Sequence, residues 1–286
     1  MPDNPTLMRG ITKRENKTAT SLCGWGMVSG GDSKSRSLAF LRACRNISLE
    51  FLFPAKCVIC RKPLGWSNPE PVCSSCSMKI RSIEEPICFT CGYPILAEIG
   101  NVPKEKITCT SCKKNVPKFT QTRSVFYYEG VLRQLVHSFK YQGKISIGKM
   151  LAQSMGDYCR EGPYFPSAEC IVPVPLGIKK LRHREFNQSV VLAKIVGKYL
   201  KVPVYPFALK KVKEPAPQMQ LSRQARMRNV RGAFMVRNKK QINQKEVLLV
   251  DDVFTTGATI RECSRVLLQH GVKKVWALTL ARTILN

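Results

Sequence analysis

Four short cysteine pairs of identical spacing constrain this chain more than any other feature of its sequence. Eight of the thirteen cysteines lie in C-x-x-C pairs, in the segments CVIC, CSSC, CFTC and CTSC. A C-x-x-C turn directs both sulfurs at one point, which is half of a tetrahedral zinc site, and two such turns complete the site. The paired cysteines are Cys57, Cys60, Cys73, Cys76, Cys88, Cys91, Cys109 and Cys112. The sequence therefore predicts two bound zinc ions.

The order of the pairs favours sequential pairing, with the first two pairs on one ion and the last two on the other. The interval of 17 residues between the last two pairs is the usual ribbon spacing, and the interval of 12 between the first two is slightly short. An interleaved pairing stays open at this point. Four sulfur ligands leave no position for water, so both sites are expected to be structural. Two alternatives are disfavoured. Disulfides would need an oxidising compartment, and the sequence shows no export signal; a redox pair needs one C-x-x-C at a helix start rather than four pairs.

The charge of the chain indicates an affinity for polyanions. Its formal net charge is +28, from 47 Lys and Arg against 19 Asp and Glu. Between Cys170 and Lys245 the only acids are Glu185 and Glu214. Such a surface attracts nucleic acid, nucleotide phosphates or an anionic membrane, although solubility is the plainer explanation. No apolar stretch of 18 residues occurs, so no membrane span is predicted.

Beyond the cysteines the pattern is that of an α/β domain. From about Arg123 onward, strand-like segments such as RSVFYYEG and KKVWALTLA alternate with helix-like segments such as VLRQLVHSFKYQGK. EVLLV is a continuous apolar run of the kind found in a central parallel strand. We therefore predict a mainly parallel sheet flanked by helices, covering 119–286. A leading helix and the zinc module would cover 38–118, and 1–37 would form a disordered tail without a secretory signal pattern.

Two acids and a threonine–glycine turn follow the run EVLLV. In a parallel sheet this places Asp251 and Asp252 at the carboxyl edge, where ligands bind. The turn TTGAT would then lead into a helix, and its N–H groups and hydroxyls suit a phosphate. The acids suit the hydroxyls of a ribose, or a bound Mg²⁺. The predicted phosphate-binding residues are Thr255, Thr256, Gly257, Ala258 and Thr259. Together they predict a ribose-5-phosphate site; solvated acids at a helix start are the plainer alternative.

These motifs carry a resemblance to a known family. VLLVDDVFTTGAT resembles the signature of type I phosphoribosyltransferases, which bind 5-phosphoribosyl 1-diphosphate (PRPP). The wider arrangement, with the four cysteine pairs, YYEGVLRQLVHSFKYQGK, IVPVPL, LRHREFNQS and PQMQLSRQARMRNVRGAF, resembles the ComF family of competence proteins over roughly Phe53 to Arg282. The resemblance implies a type I phosphoribosyltransferase-like domain after a zinc-ribbon module. It also implies a role in natural transformation, linked to incoming single-stranded DNA.

If the site is catalytic, Mg²⁺ would bridge the ribose diol and the pyrophosphate of PRPP. Displacement at C1 would then need cations to neutralise the leaving pyrophosphate. Four basic residues after PVPL are candidates: Lys179, Lys180, Arg182 and Arg184. With Asp251 and Asp252, Arg182 and Arg184 are the expected catalytic residues, and the two lysines are expected to bind PRPP. Each basic residue alone has a plainer interpretation as a surface charge.

Two positions depart from the family pattern. Glu185 stands where the resemblance leads us to expect glycine, in a loop expected to cover the pyrophosphate, and Ala225 stands where an acid is expected. An acid at 185 would oppose a diphosphate unless it points away or binds metal. This departure puts catalysis, rather than the fold, in question.

A basic segment, LSRQARMRNVRGAF, has three interpretations. Its arginines could form a nucleic-acid-binding strip, a flap that closes over PRPP, or a solvated helix face. They are Arg223, Arg226, Arg228 and Arg231. Three functions therefore stay open: an active phosphoribosyltransferase, a catalytically silent nucleic-acid-binding competence factor, and an adaptor whose zinc module docks proteins of the uptake machinery. In each case a cytoplasmic location is expected, with attachment at the inner face of the membrane as an option.

Overall fold

The computed structural model describes residues 55–65, 70–95, 102–103, 105, 107–162, 164–165, 167–213 and 223–284. The predicted tail and leading helix lie outside them. Two compact units are distinguished, one ending at Met78 and one beginning at Lys79. The described part of the first unit holds the first cysteine cluster and a short helix, α1 (Ser74–Ser77). The domain boundary predicted near residue 118 stays a prediction.

The second unit is built on a four-stranded parallel sheet with the strand order β1–β6–β5–β2. The strands are β1 (Gln121–Tyr127), β2 (Cys170–Pro173), β5 (Glu246–Phe254) and β6 (Lys274–Arg282). A separate antiparallel hairpin pairs β3 (Leu209–Lys211) with β4 (Phe234–Val236). The α/β class and the parallel sheet predicted from the sequence are confirmed.

The described helices of the second unit follow the predicted alternation with strands. They are α2 (Thr110–Lys114), α3 (Gly130–Tyr141), α4 (Ile145–Glu161), α5 (Ile178–Arg184), α6 (Gln188–Leu200), α7 (Arg223–Val230) and α8 (Ala258–Gln269). Strand β1 ends at Tyr127 rather than Gly130, because Gly130 begins α3. Helix α5, which follows PVPL, was not predicted. A helix was one of the three interpretations of the arginine-rich segment, and α7 forms the start of that segment.

The sheet is covered on both faces because strand β5 is apolar on both. Val247 and Leu249 are fully buried in one core cluster with residues of α8 and of the β3–β4 hairpin. Side chains alternate along a strand, so Leu248 and Val250, which are also fully buried, point to the opposite face. Helix α6 packs against β5 and β2, and α4 packs against α6 and β6. This is why EVLLV is a continuous rather than an alternating apolar run.

Both cysteine clusters have the geometry of a four-sulfur zinc site. In each, the four sulfurs lie within 4.8 Å of one another. Sγ of Cys60 lies 3.6 Å from Sγ of Cys73, and Sγ of Cys91 lies 3.7 Å from Sγ of Cys109. A tetrahedral ion with Zn–S bonds of about 2.3 Å separates its sulfurs by about 3.8 Å, whereas a disulfide needs about 2.05 Å. The donor sets therefore fit two structural zinc ions, and the sequential pairing is confirmed.

The two clusters repeat one local fold. In each, the N–H of the first cysteine donates to the carbonyl five residues later, from Cys57 to Lys62 at 2.9 Å and from Cys88 to Tyr93 at 2.7 Å. In each, the N–H of the third cysteine donates to the sulfur of the first, at 3.4 Å in the first cluster and 3.3 Å in the second. A short helix then begins directly after the third cysteine. The chain thus contains an internal repeat of about 30 residues, CVICRKPL and CFTCGYPI, each followed by its second pair.

The second copy differs from the first in how it packs. The residue after the second cysteine has a positive φ in both copies, but it is Arg61 in the first and Gly92 in the second. A Cβ at Gly92 would lie 2.8 Å from the carbonyl oxygen of Thr122 on β1, so this turn lies directly against the sheet. Cys88, Cys91 and Cys112 accordingly belong to the core cluster of the second unit.

Two buried arginines hold the second cluster against the sheet. Arg123 of β1 donates Nη1 to the carbonyl of Phe89 at 2.9 Å, and Arg282 of β6 donates Nη1 to the carbonyl of Cys91 at 2.6 Å. They are 5% and 3% exposed, and burial lowers the pKa of both guanidinium groups, although neighbouring anionic groups, including the Cys88 thiolate, partly offset this effect. Guanidinium groups stay charged in proteins, so the two arginines place positive charge beside a zinc–tetrathiolate centre of opposite charge.

The two zinc sites should therefore contribute unequally to stability. We expect Cys76→Ser to lose one zinc ion per chain and to leave the main unfolding transition in place, since Cys76 belongs to the first unit. Cys112→Ser, at the equivalent position of the second copy, should also lose one zinc ion but should lower the free energy of unfolding by roughly 4 kcal/mol or more, because its site is part of the sheet core. Zinc content and thermal unfolding measure both effects. Equal destabilisation by the two substitutions would contradict this prediction.

Candidate functional site

The turn after β5 is shaped by its glycine. Gly257 has a φ of +76°, and a Cβ there would lie 2.4 Å from the ring of Phe254, so a larger residue would not fit without rearrangement. Helix α8 begins at the next residue, Ala258, one position before the predicted start. The N–H of Ala258 is 3.5 Å from the buried hydroxyl of Thr256, while Thr255 is exposed. The first N–H groups of a helix have no partner within the helix, so this turn has the form of an anion-binding loop.

The two acids lie at the end of β5 and have different partners. Oδ1 of Asp251 accepts from Oγ of Ser189 on α6 at 3.0 Å and from the N–H of Asp252 at 2.9 Å. Oδ2 of Asp252 pairs with Nζ of Lys140 at 2.7 Å, and both of these side chains are 15% exposed. The acid pair therefore has one buried counter-cation within direct contact.

Burial and mutual repulsion govern the ionisation of this group. Burial and the charge of Asp252 raise the pKa of Asp251 to about 7. Burial alone would lower the pKa of Lys140, but Asp252 and, to a smaller extent, Asp251 outweigh it, so the pKa of Lys140 is raised. Lys140 therefore stays charged, and Asp251 changes its protonation state near neutral pH.

The end of helix α3 connects the acids to the basic helix α5. Next to Lys140, the hydroxyl of Tyr141 accepts from Nη2 of Arg184 at 2.9 Å, and the guanidinium of Arg184 lies 4.7 Å from the centre of the Tyr141 ring. Nη1 of Arg184 also donates to Oε1 of Gln188 at 3.2 Å. Sequence reasoning assigned no role to Lys140 or Tyr141. The available signal was the acid pair itself, because a buried pair of like charges needs a cation nearby.

The basic helix stands at the same edge of the sheet as the acids. Strand β2 pairs with β5, and the N–H of Val174, just beyond β2, donates to the carbonyl of Val250 at 2.9 Å. Asn187, which caps α6, also donates Nδ2 to the carbonyl of Val174 at 3.0 Å. The intervening helix α5 exposes Lys179, Lys180 and Arg182 and leaves Arg184 half-buried. The predicted cationic residues thus lie on one short helix, with Arg184 turned toward α3.

Glu185 does not lie in a loop, as the sequence suggested, but caps the end of α5 in the left-handed conformation. Its φ is +63° and its N–H donates to the carbonyl of Leu181 at 2.8 Å. Only glycine adopts this conformation without steric cost, which explains why the resemblance leads us to expect glycine here. The side chain of Glu185 is exposed.

The arginine-rich segment is helical at its start and is anchored to α8, the helix that follows the predicted phosphate loop (residues 255–259). Beyond α7, the N–H of Gly232 donates to Oε1 of Glu262 on α8 at 2.7 Å, and the same carboxylate pairs with Arg265 at 2.6 Å. Burial would raise the pKa of Glu262, but these hydrogen bonds lower it. Arg228 and Arg231 are exposed; the side chains of Arg223 and Arg226 lie outside the described part of the structure. The anchor places this segment beside α8, and its role stays a prediction.

Models of two protein families match the chain. A double zinc ribbon domain matches residues 48–113, and a phosphoribosyl transferase domain matches residues 187–284. The fold and its cysteine clusters agree with both. The class is therefore a double zinc ribbon joined to a type I phosphoribosyltransferase-like domain.

Relatives match most of the length of the chain. Competence protein F of Haemophilus influenzae is 30% identical over 234 residues, which is 80% of this chain and 98% of that protein. DNA utilization protein YhgH of Escherichia coli is 29% identical, covering 81% of this chain and 98% of that protein. Competence protein ComFC of Bacillus subtilis is 25% identical, covering 75% and 85%. The chain belongs to the ComF family.

Solved structures resemble the chain more distantly. Adenine phosphoribosyltransferase from Leishmania tarentolae is 12% identical, with a TM-score of 0.33, covering 51% of this chain and 74% of that one.

Within the described part of this chain, no helix combines the length and the apolar character needed to cross a membrane.

The positive φ of Glu185 predicts a stabilising substitution. We expect Glu185→Gly to raise the free energy of unfolding by about 0.5–1 kcal/mol, because the steric cost of a side chain in the left-handed region exceeds the entropy gained by the unfolded glycine. Lys198→Gly, at an exposed position inside α6, is the matched control and should lower it by about 1 kcal/mol. Urea denaturation measures both. Destabilisation by Glu185→Gly would mean that the carboxylate makes an interaction that outweighs its backbone strain.

The raised pKa of Asp251 predicts that replacing it by its neutral analogue, asparagine, stabilises the protein in a pH-dependent way. A carboxylate whose folded pKa lies near 7 favours the protonated native state, so its ionisation removes stability as the pH rises from about 4 through 7. Asp251→Asn removes this loss, and its amide oxygen can still accept from Ser189. We expect the variant to be more stable than the wild type by on the order of 2 kcal/mol at pH 8, with little difference at pH 4. Denaturation at both pH values measures this, and an equal effect at both would contradict it.

Proposed function

We propose that this chain binds PRPP together with Mg²⁺ at the carboxyl end of β5, and that it does so in a ComF role in competence, during uptake or processing of single-stranded DNA. One observation carries the proposal. A half-buried acid pair, Asp251 and Asp252, is followed at the same strand end by a left-handed glycine turn and the start of α8. This is the arrangement that a ribose and its 5-phosphate require from one continuous segment.

The two ends of the segment suit the two ends of a ribose 5-phosphate. The 5-phosphate would accept hydrogen bonds from the N–H groups and hydroxyls of 255–259. The ribose diol would donate to the carboxylates of Asp251 and Asp252. Because Asp252 is paired with Lys140, the incoming ligand meets an acid pair that is already partly neutralised. Mg²⁺, when bound, would hold diol and pyrophosphate oxygens together, with most of its ligands supplied by PRPP and water.

The basic helix α5 would receive the pyrophosphate. Its exposed cations stand beyond β2, the strand that neighbours β5 in the sheet, so they face the same edge as the acids. In a transfer reaction, a nucleophilic atom of the acceptor would bond to C1 as the bond from C1 to the pyrophosphate oxygen breaks, and these cations would stabilise the leaving pyrophosphate. Arg184, held by Tyr141 and Gln188, would keep α5 in position. Glu185 is exposed at the end of this helix, so it need not face the diphosphate.

The family and the charge support the cellular part of the proposal. The printed names of the relatives refer to competence and to DNA utilization. The net charge of +28 favours contact with nucleic acid, and the exposed Arg228 and Arg231 add to it beside α8. We place this activity in the cytoplasm. The alternative, also a proposal, is a protein that binds nucleic acid or partner proteins without transferring the phosphoribosyl group.

Calorimetric titration with PRPP, with and without Mg²⁺, tests the ligand. We expect the wild-type chain to bind PRPP with an affinity that rises when Mg²⁺ is present. Asp252→Asn should weaken this binding by roughly tenfold or more, because it removes a charged partner of the diol and of the metal. Asp157→Asn, which alters an acid on α4 that is paired with Arg160, is the matched control and should bind as the wild type does.

Two results would count against the proposal. If the folded, zinc-loaded chain bound no PRPP under either condition, the phosphate loop would be a structural remnant and the alternative would stand. If Asp252→Asn bound as tightly as the control, the diol would have to lie elsewhere.

A further inference from the structure

A cavity lies between the second zinc site and the phosphate loop, and the proposed PRPP site does not use most of it. Its volume is about 570 Å³, within the range of about 300–1,000 Å³ that ligand pockets occupy. Part of its lining is formed by Cys91, residues 93–95 and residues 108–112, which include three cysteines of the second cluster. The remainder is formed by residues 254–256 at the end of β5, by Arg261 on α8, and by residues 282–283 at the end of β6.

The walls of the cavity combine aromatic rings with a fixed cation. The guanidinium of Arg282 lies 4.8 Å from the ring centre of Phe254 and 5.2 Å from that of Tyr93. Its bond to the carbonyl of Cys91 holds it in place, and it is 3% exposed. Pro94 and Ile95 extend the apolar surface beside Tyr93. A planar ring entering the cavity would therefore meet apolar and aromatic surface on one wall.

Another part of the lining, called the rim below, is polar and basic. It consists of the hydroxyl-bearing residues Thr108, Ser111 and Thr255 together with Arg261, whose Nη1 donates to the carbonyl of Asn115 at 3.1 Å. The described lining contains no acid. These groups suit a ligand that carries hydrogen-bonding atoms on a flat ring and an anion close by.

We propose that this cavity binds the nucleobase of a nucleotide, with the adjoining phosphate directed toward Arg261 and the hydroxyl rim. A nucleotide combines the three properties that the walls call for, which are a planar apolar face, hydrogen-bonding ring edges and a negative charge. A wholly apolar ligand would make no use of the polar and basic groups of the rim, and a simple anion would make no use of the aromatic surface. The proposal rests on the proposed function for its natural source, which is single-stranded nucleic acid; a free nucleotide offers the same chemistry.

Shared residues would make this site communicate with the PRPP site. Thr255 and Thr256 line the cavity and also belong to the loop assigned to the 5-phosphate. A ligand on either side of this loop biases its conformation, so PRPP with Mg²⁺ should change the affinity for the nucleotide, and the change must be reciprocal.

Paired oligonucleotides test the site directly. The probes are a short labelled oligothymidine and an abasic strand of the same length and charge, bound to the zinc-loaded full chain at one salt concentration. We expect the wild type to bind oligothymidine roughly tenfold more tightly than the abasic strand, which is within the range that stacking of a base supplies. Ile95→Trp fills the cavity and Thr110→Trp obstructs its exposed rim. Each should abolish the preference, so that the variant binds the two strands equally.

Val116→Trp is the matched control, because Val116 is 81% exposed in the same module and does not line the cavity. It should keep the preference of the wild type. Competition with thymidine monophosphate separates the two sources: full displacement indicates that a free nucleotide suffices, and weak displacement indicates that the strand is required. Both results support a base-binding cavity.

Equal binding of the two strands by the wild type would overturn the inference, and this result needs no variant. So would a preference that survives both tryptophan substitutions in chains that keep the wild-type melting transition. Thr110 is exposed, so its variant stays informative even if Ile95→Trp disturbs folding. PRPP titration of the same protein keeps the two proposals distinct, because loss of PRPP binding with an intact base preference would count against the PRPP site alone.

Discussion

Strand β5 is paired on both sides with parallel neighbours, and this constraint decides where most functional groups of the second unit lie. Because β2, β5 and β6 run in the same direction, their carboxyl ends meet at one edge. The acid pair, the phosphate loop, the basic helix and Arg282 are each within a few residues of such an end. The residues 247–250 are fully buried on both faces, and a slip by one residue would move Asp251 into a core position, so the boundary between the apolar run and the acids fixes their register.

The acid pair illustrates how a proposed ligand site can oppose stability. Two adjacent carboxylates at the end of a buried strand repel each other and lose hydration, and the raised pKa of Asp251 reflects this. The structure offsets the cost with Lys140 on Asp252 and Ser189 on Asp251. A buried ion pair seldom stabilises a fold more than apolar residues would. Under the proposed function, the acid pair is a charged site prepared to bind PRPP. Lys140 then occupies a position that the Mg²⁺ accompanying this ligand could share.

Local patterns in the sequence predicted local structure well, and long-range contacts poorly. The four C-x-x-C pairs define their own turns, and an apolar run followed by two acids and TTGAT defines a strand end, so both were read correctly. The Lys140–Asp252 contact joins residues 112 positions apart, and no periodicity encodes it. Helix α5 was missed because seven residues with four cations and a histidine have no apolar stripe. The left-handed conformation of Glu185 was hidden for a related reason, since its residue type gives no sign of a position that favours glycine.

The internal repeat shows how one local fold acquires two different roles through its neighbours. Both copies close a four-sulfur site with the same hydrogen bonds, so the cysteine spacing alone cannot distinguish them. Gly92 permits a close approach to β1 that Arg61, in the first copy, does not need, and Arg123 and Arg282 then hold the second copy in the core. Arg282 contacts both the backbone of Cys91 and the ring of Phe254, which precedes the phosphate loop. Arg282 therefore links the backbone of the second cysteine cluster to the residue before the proposed phosphate loop, and a zinc ion bound by this cluster would help to hold that contact in place.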